Sequence, residues 1–590
     1  MKLPSIGVLV SQIRNIIIRF PFLFIITLLA VIVAYILPDA NAVNQNILAR
    51  ILCFCLLAFT LSLSVCLYGL SKKFSYLAIL GFQVAAIVIS VLIMYWLNPE
   101  MWEKDIIILL LFVGAFHLAV SYAAFLNNEA ILNFWDFNKI LFLKILTAAL
   151  YSSIITLGLF AALAAIDNLF EANIRSTFYL RTFLLIGIGF NTLFFLGGLP
   201  DVRNHNYENQ YPKGLKIFAQ YVLIPLLIVY LVILLIYEGK IMLEWSLPKG
   251  YVSMLILGYA VFGILSLLLV FPIKDQAENK WIKWFSKFFY VMMIPLLVLL
   301  TLAIYKRVTD YGITEKRYII IMAAIWLSGI TIYFLVSTKQ NIKIIPISLS
   351  IILIISTIGP QSAASVSKNS QVNRLKKLTS NPDNSKNAKQ EASVIIRYLI
   401  KNHGLSSLQP LTTKNITNIQ TSMLEKMKNE NSYQIHGRLI DTAYAILNIK
   451  DLKDEFSSPM NKYFRKDNQN IFEVKGFEAV YHLIPFQREP DTISVGNKKI
   501  RIVNAIDKLE VSSDNEKLQF NLNNIFSKIV KKYEDNLNTE IQVPDSLMSA
   551  VQESDNLFVK LQIIRLNLNA YRDSLNDNHD FEGFLLIRKK

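Results

Sequence analysis

Eleven apolar stretches follow one another along the first 360 residues, from Phe22–Leu37 to Ile344–Ile358. Beyond them the chain turns polar and carries only short periodic segments. A helix needs about 20 apolar residues to cross roughly 30 Å of hydrocarbon. The stretches meet that length with few interior charges, and a soluble fold built from so many of them would lack polar surface. The pattern predicts a polytopic α-helical membrane bundle of about eleven transmembrane helices, followed by a C-terminal soluble α+β domain. The expected division is 1–360 for the membrane part, 361–390 for a linker rich in Ser, Asn and Lys, and 391–590 for the soluble domain.

Within the soluble part, Glu391–Asn402 is amphipathic and is stopped by Gly404; further helices are expected near Asn415–Lys428 and Arg438–Ile449. After residue 470 the period shifts toward two. Lys498–Val503, Lys508–Val511 and Lys517–Leu522 read as strands, with a turn at Ser512-Ser-Asp-Asn515. A helix near Asn523–Tyr533 and closing strands Phe558–Asn569 and Phe581–Lys589 complete the pattern. In the first closing strand the apolar positions run Val559, Leu561, Ile563 and then Ile564, Leu566, Leu568. That slip of phase predicts a β-bulge.

Composition agrees: 54% of the 590 residues are hydrophobic and 17% charged, where globular domains are nearer a quarter charged. The net charge of +16 is a matter of membrane topology rather than nucleic-acid binding, because no basic stripe is interleaved with aromatic residues. Cytoplasmic loops carry excess Lys and Arg. Basic residues are denser in the loops holding Arg14, Arg19, Lys72, Lys73, Arg203, Lys274 and Lys283 than in the alternate loops. This places the N-terminus in the cytoplasm, and an odd number of spans then places the C-terminal domain in the periplasm of a bacterial inner membrane. The eleventh stretch is short and contains Pro346; were it only re-entrant, the domain would be cytoplasmic. The first apolar run follows Arg14 and Arg19 without a small-residue cleavage site and reads as an uncleaved signal anchor. Cys53, Cys55 and Cys66 all fall in the second stretch and read as packing residues.

An ionisable or strongly polar group at bilayer depth is costly and usually has a partner or a task. His117, Asp167, Asn168 and Asn191 are the candidate intramembrane polar site; gathered together they would make a proton or ion path. The alternative is that each serves an interhelical hydrogen bond or a helix end. Pro225 and Pro295 lie inside apolar stretches and are expected to kink their helices. His403, His436 and His482 have no metal-ligand spacing, and no nucleophile elbow, phosphate loop or dinucleotide fingerprint is present, so no catalytic residue, metal or cofactor is implied. The expected partners are the lipid bilayer and envelope proteins reached through the C-terminal domain, with no nucleic acid.

Several stretches together resemble the bacterial domain-of-unknown-function 4153 family. They are Arg19-Phe-Pro21, Leu146-Thr-Ala-Ala-Leu-Tyr151, Asp167-Asn-Leu-Phe170, Phe190-Asn-Thr192 with Gly198-Leu-Pro200, Gln220-Tyr-Val-Leu-Ile-Pro225, Leu247-Pro-Lys-Gly250, Trp281-Ile-Lys-Trp-Phe-Ser286 and Asp310-Tyr-Gly-Ile-Thr-Glu-Lys-Arg317. The resemblance implies an integral membrane protein and supplies no activity. The expected function is a non-enzymatic scaffold, or a transporter-like or regulatory component of the bacterial envelope. The alternatives are a glycosyltransferase-like membrane enzyme acting on a lipid-linked substrate, for which Asp39 is the only acid in a short first outer loop, or a membrane sensor.

Overall fold

The structure is a computed structural model. It describes the chain except residues 1–5, 41, 127–129, 204–210, 245–251, 275, 277–279, 381–385, 428–431, 448–459, 468–473, 485–489, 497, 506–507, 514–515, 534–539 and 571–578. Packing divides the chain into two units, Met1–Lys450 and Asp451–Lys590.

The first unit is helical. Its helices are α1 Ile6–Arg19, α2 Pro21–Ile36, α3 Ala42–Ser71, α4 Tyr76–Trp96, α5 Glu103–Tyr122 and α6 Ile131–Phe170. There follow α7 Ser176–Leu184, α8 Asn191–Gly197, α9 Lys213–Phe218, α10 Ile224–Glu244, α11 Val252–Val270, α12 Lys280–Tyr311, α13 Glu315–Val336 and α14 Ile344–Ile355. Among the described residues ten helical segments are long and apolar enough to cross a membrane, with α14 as a shorter eleventh apolar helix. Their outward faces are apolar too: Leu77, Leu92, Leu157, Ile236 and Phe262 are all exposed. Apolar surface on this scale is tolerated when its solvent is lipid. The protein is a multi-pass integral membrane protein.

Lipid is as apolar as leucine, so packing inside the bundle relies on close contact and interhelical hydrogen bonds rather than on the hydrophobic effect. Ser350 Oγ donates to Ala115 O at 3.1 Å, and Trp326 Nε1 donates to Ser348 Oγ at 2.9 Å. Bonds of this kind contribute about 0.6–1.7 kcal/mol each.

Polar contacts at the helix ends sort the bundle into two ends. Arg19, at the end of α1, donates to Leu199 O and Pro200 O beyond α8. At the same level in the up-and-down order, Trp135 and Tyr211 donate to Leu268 O and Leu269 O, and Lys343 donates to Phe125 O. We call this the Arg19 end. At the opposite end Arg50 donates to Met94 O and Leu97 O, and Arg181 pairs with Asp39.

Helix α14 starts at the Arg19 end beside Phe125, pairs through Ser350 with the middle of α5, and places Leu353 against Gly114. It therefore runs antiparallel along α5. Its 12 residues rise only about 18 Å. A turn at Ser356–Ser362 then leads into α15 Ala363–Ser380, whose Ser367 reaches Glu315 at the start of α13. The chain thus reaches the end opposite Arg19 beyond α14, through that turn and the start of α15.

There α15 packs with α16 Lys386–His403, the 3₁₀ segment Leu405–Leu411, α17 Ile416–Lys426 and α18 Ser432–Leu447 into a helical cap. The cap core joins Val372, Leu375, Ile396, Leu399, Leu408 and Leu439, and Met101 and Trp102 from the α4–α5 turn pack against it. The 361–390 segment expected as a linker thus contains α15 and the start of α16. The buried face of α15 is Ala363, Ser367, Gln371, Val372 and Leu375. Small and polar side chains supply most of that face, so the hydrophobic periodicity is faint although the helix is packed.

Both prolines sit in helices. Pro295 lies inside α12. Pro225 is the second residue of α10, directly after a π-helical turn at Ala219–Leu223. The widened turn falls where proline removes a backbone donor. A second π turn, Leu185–Phe190, leads into Asn191.

Among its described residues the second unit has ten strands and one α-helix. They are β1 Met460–Lys466, β2 Ala479–Leu483, β3 Asp491–Val495, β4 Lys498–Asn504, β5 Lys508–Ser513, β6 Glu516–Asn521, α19 Leu522–Lys532, β7 Glu540–Val543, β8 Ser549–Glu553, β9 Leu557–Ala570 and β10 His579–Lys589. One sheet runs β2-β10-β9-β1-β7 with β8 also on β9; the other is the meander β3-β4-β5-β6. Alternate residues of both sheets, among them Ile500, Val511, Phe520, Val559 and Leu585, meet α19 through Phe526 and Ile529 in one core. The expected bulge is present. Arg565 pairs with Glu582 and Ile563 with Gly583, leaving Ile564 as the extra residue. Gly583 fits there because a Cβ would lie 2.6 Å from Gln562 O.

Candidate functional site

The four polar positions singled out in the membrane part lie on separate elements. His117 is exposed on α5, and its Nδ1 is 2.8 Å from Val113 O one turn earlier. Asp167 Oδ1 accepts from Ile174 N at 2.8 Å and so closes the turn after α6; Asn168 Nδ2 donates to Ala164 O in its own helix. Asn191 follows the π turn, with its Oδ1 buried and without a partner. Among the described residues no hydrogen bond joins His117, Asp167 and Asn191 to one another. Three of the four meet local backbone groups, a standard way to quiet a polar side chain in a helix.

Convergent polar chemistry occurs elsewhere, at the junction of bundle and cap. Glu315 opens α13, with Thr314 as the preceding extended residue. Its Oε1 accepts from Ser367 Oγ of α15 at 2.7 Å, and its Oε2 accepts from Tyr398 Oη of α16. His403 Nε2, at the last residue of α16, lies 2.9 Å from Glu315 Oε1, and both side chains are only 3% exposed. Burial and the Glu315 carboxylate push the Tyr398 phenol well above its ordinary range, so it stays a protonated donor. The position also suits the carboxylate because the first turn of a helix favours negative charge.

The α12–α13 turn beside it is held from the cap. Gln371 Nε2 donates to Tyr311 O and Ile313 O, each at 3.0 Å, and Ser370 Oγ accepts from Ile313 N. Gly312 has φ +71°, and a Cβ would lie 2.7 Å from Gln371 Nε2. Arg374 pairs with Glu391 and also donates to Asp310 O. This constellation is a buried clasp between a membrane helix and the cap. It has a carboxylate, a histidine and a serine, but their near-complete burial leaves no room for a substrate. A second seam lies where Trp102 meets His436 of α18, ring centroids 5.6 Å apart. Burial lowers the His436 pKa from its ordinary 6.5, opposed by a hydrogen bond to the Met101 backbone.

Glu315 heads an apolar run beside Lys316 and Arg317, and nothing local in the sequence marks it as buried. Its partners are 52, 83 and 88 residues away and share no motif. Glu238 on α10 is likewise unmarked; it is 5% exposed and its Oε2 has no partner.

Two open clefts mark the bundle ends. One, of about 360 Å³, lies between Tyr35, Asp39, Asn44 and Arg181. The other, of about 480 Å³, lies at the Arg19 end between Asn15, Arg19, Tyr76, Gln83, Asp201 and Arg203. Among the described residues no three His, Cys, Asp or Glu side chains come together as a metal-ligand set.

Comparison with known proteins adds a family and no activity. The family described as Domain of unknown function (DUF4153) matches residues 23–385. An uncharacterised protein of Pasteurella multocida (strain Pm70) is 26% identical over 284 residues, which are 47% of this chain and 47% of that protein. The chain therefore spans about half the length of the curated relative it matches. No solved structure matches.

Proposed function

The chain belongs to the DUF4153 family, and from that premise we propose a non-enzymatic scaffold or regulatory component of the bacterial inner membrane. Its Arg19 end faces the cytoplasm, and the cap and the C-terminal β unit stand in the periplasm. The density of Lys and Arg around the Arg19 end supports that orientation, as does the course of α14 toward the opposite end.

The clasp at Glu315 carries the reading. Glu315, Ser367, Tyr398 and His403 are spent on fastening a folded cap to membrane helices. A cap held this way presents a fixed surface to envelope partners and would transmit their binding to α13. A photo-crosslinker placed at exposed Tyr433 of the cap tests it. The expected product is a single, saturable adduct with an envelope polypeptide. Turnover of a polyprenyl-linked sugar by the purified protein in vesicles would instead establish the enzyme reading.

Glu238 favours a second reading, a transporter-like core, because a buried carboxyl without a partner at membrane depth is a natural proton carrier. Proton uptake by vesicles holding the protein, lost in Glu238→Gln, would support it; uptake unchanged in that variant would remove it.

A further inference from the structure

We propose that the cleft at the Arg19 end binds the phosphate group of an anionic amphiphile entering from the adjoining leaflet. The cleft holds about 480 Å³, enough for a lipid headgroup and its first linkages. Its walls come from five places in the chain: the end of α1, the start of α2, the end of α3, the first turns of α4 and the loop after α8.

Positive charge is built into the walls. Arg19 is held there by donating to Leu199 O at 2.9 Å and Pro200 O at 2.7 Å. These bonds neutralise the carbonyl end of α8 and fix the guanidinium beside the opening. Arg203 is exposed and sits 3.8 Å from Asp201, a loose pair that an incoming anion can compete for. Arginine suits this task because its planar fork matches phosphate oxygens in pairs. Among the described residues Asp201 is the one acid on the wall, and two guanidinium groups outweigh it.

The depth of the cleft points to an amphiphile rather than a bare ion. Gln83 lies seven residues along α4 from Tyr76, about 10 Å further into the bundle. It is 1% exposed, and its Nε2 has no hydrogen-bond partner. A buried amide donor left without an acceptor costs about 1–3 kcal/mol. A ligand with a second acceptor oxygen below its phosphate, such as an ester carbonyl, would satisfy it. Exposed Ile18 and half-buried Leu80 give the opening an apolar side, where an acyl or prenyl chain can lie. Lys72 and Lys73 in the α3–α4 turn and Arg14 on α1 add positive charge around the rim, and anionic lipids gather at such a surface.

The test uses the full chain in neutral detergent, with bound lipid read by native mass spectrometry. Probes are phosphatidylglycerol, phosphatidylcholine and inorganic phosphate. The expected result is retention of one phosphatidylglycerol in preference to phosphatidylcholine, unmoved by millimolar phosphate. Arg203→Gln and Gln83→Leu should each weaken retention about tenfold, while Lys376→Gln on exposed α15 of the cap leaves it within about twofold. Arg203 is an exposed loop residue, so its variant keeps the fold and carries the test even if Gln83→Leu does not. Displacement of the lipid by inorganic phosphate would overturn the amphiphile in favour of a soluble phosphate ligand. Equal retention of both lipids, or retention unchanged in Arg203→Gln, would overturn the site.

Discussion

Glu315 shows how a single residue can decide the fate of a whole substructure. Its carboxylate is the common acceptor for Ser367 and Tyr398 and lies against His403. Removing it takes the acceptor from the Tyr398 phenol and one of two acceptors from Ser367, on two cap helices at once. Glu315→Ala should cost about 3–5 kcal/mol, the range for breaking a buried charged contact from one side. The loss should be local: α15 and α16 become sensitive to protease while α2–α6 stay protected. His436 makes the same cap sensitive to acid. Its folded pKa is lowered by burial below 6.5, so the unfolded state binds the proton more readily. Stability is therefore complete above that value and declines as pH falls through it toward the folded pKa. Hydrogen exchange of α18, corrected for intrinsic rate, should rise between about pH 7.5 and 5.5 in the native protein. In His436→Gln it should not. At this scale the sequence was least informative. Asp167 and His117 stood out because they interrupt apolar runs, yet they meet neighbouring backbone. Glu315 and His403 meet each other across 88 residues, a relation that no local pattern encodes.

Elements were far more legible, because periodicity is a property of neighbours. The strands β4, β5, β6, β9 and β10 and the helices α16 to α19 all lie where alternation or amphipathic spacing had placed them. The bulge in β9 was visible as a slip of phase, and the structure adds its cause. Gly583 on β10 leaves room for the extra residue, since any side chain would strike the Gln562 carbonyl. Gly583→Ala should destabilise the β unit by about 1–3 kcal/mol, as overpacking does. A lowered midpoint for the β unit's unfolding, with the helical signal of the bundle unchanged, would show it. What remained hidden has a common reason. β2, β3, β7 and β8 are only four or five residues long, and β1 and α15 bury polar side chains, Lys466 in the one and Ser and Gln in the other. Neither produces a hydrophobic period strong enough to see. The π turns before Asn191 and Pro225 were also invisible, since a wider turn leaves side-chain composition unchanged.

For the whole molecule, membrane class followed from composition and segment length alone, and the ten long apolar helices uphold it. The course of the eleventh stretch did not follow, because 12 residues with a proline fit either a short crossing or a re-entrant loop. Its contacts follow α5 away from the Arg19 end, as a crossing would. Lys343 bonds Phe125 at one end of α5, Ser350 bonds Ala115 in the middle, and beyond the turn Ser367 reaches Glu315 at the other. Short as it is, α14 runs from the Arg19 end to about the middle of α5, and the turn at 356–362 with the start of α15 carries the chain on to the opposite end. The cap and the basic Arg19 end should then face different compartments.

Cysteine labelling in whole cells tests this most directly. In a background with Cys53, Cys55 and Cys66 replaced by serine or alanine, one reporter is placed at exposed Lys376 of α15 and another at Lys72 after α3. A membrane-impermeant maleimide should label Lys376→Cys in intact cells and Lys72→Cys only after lysis. Labelling of both positions in the same preparation would put cap and Arg19 end on one side, and the crossing of α14 would be wrong.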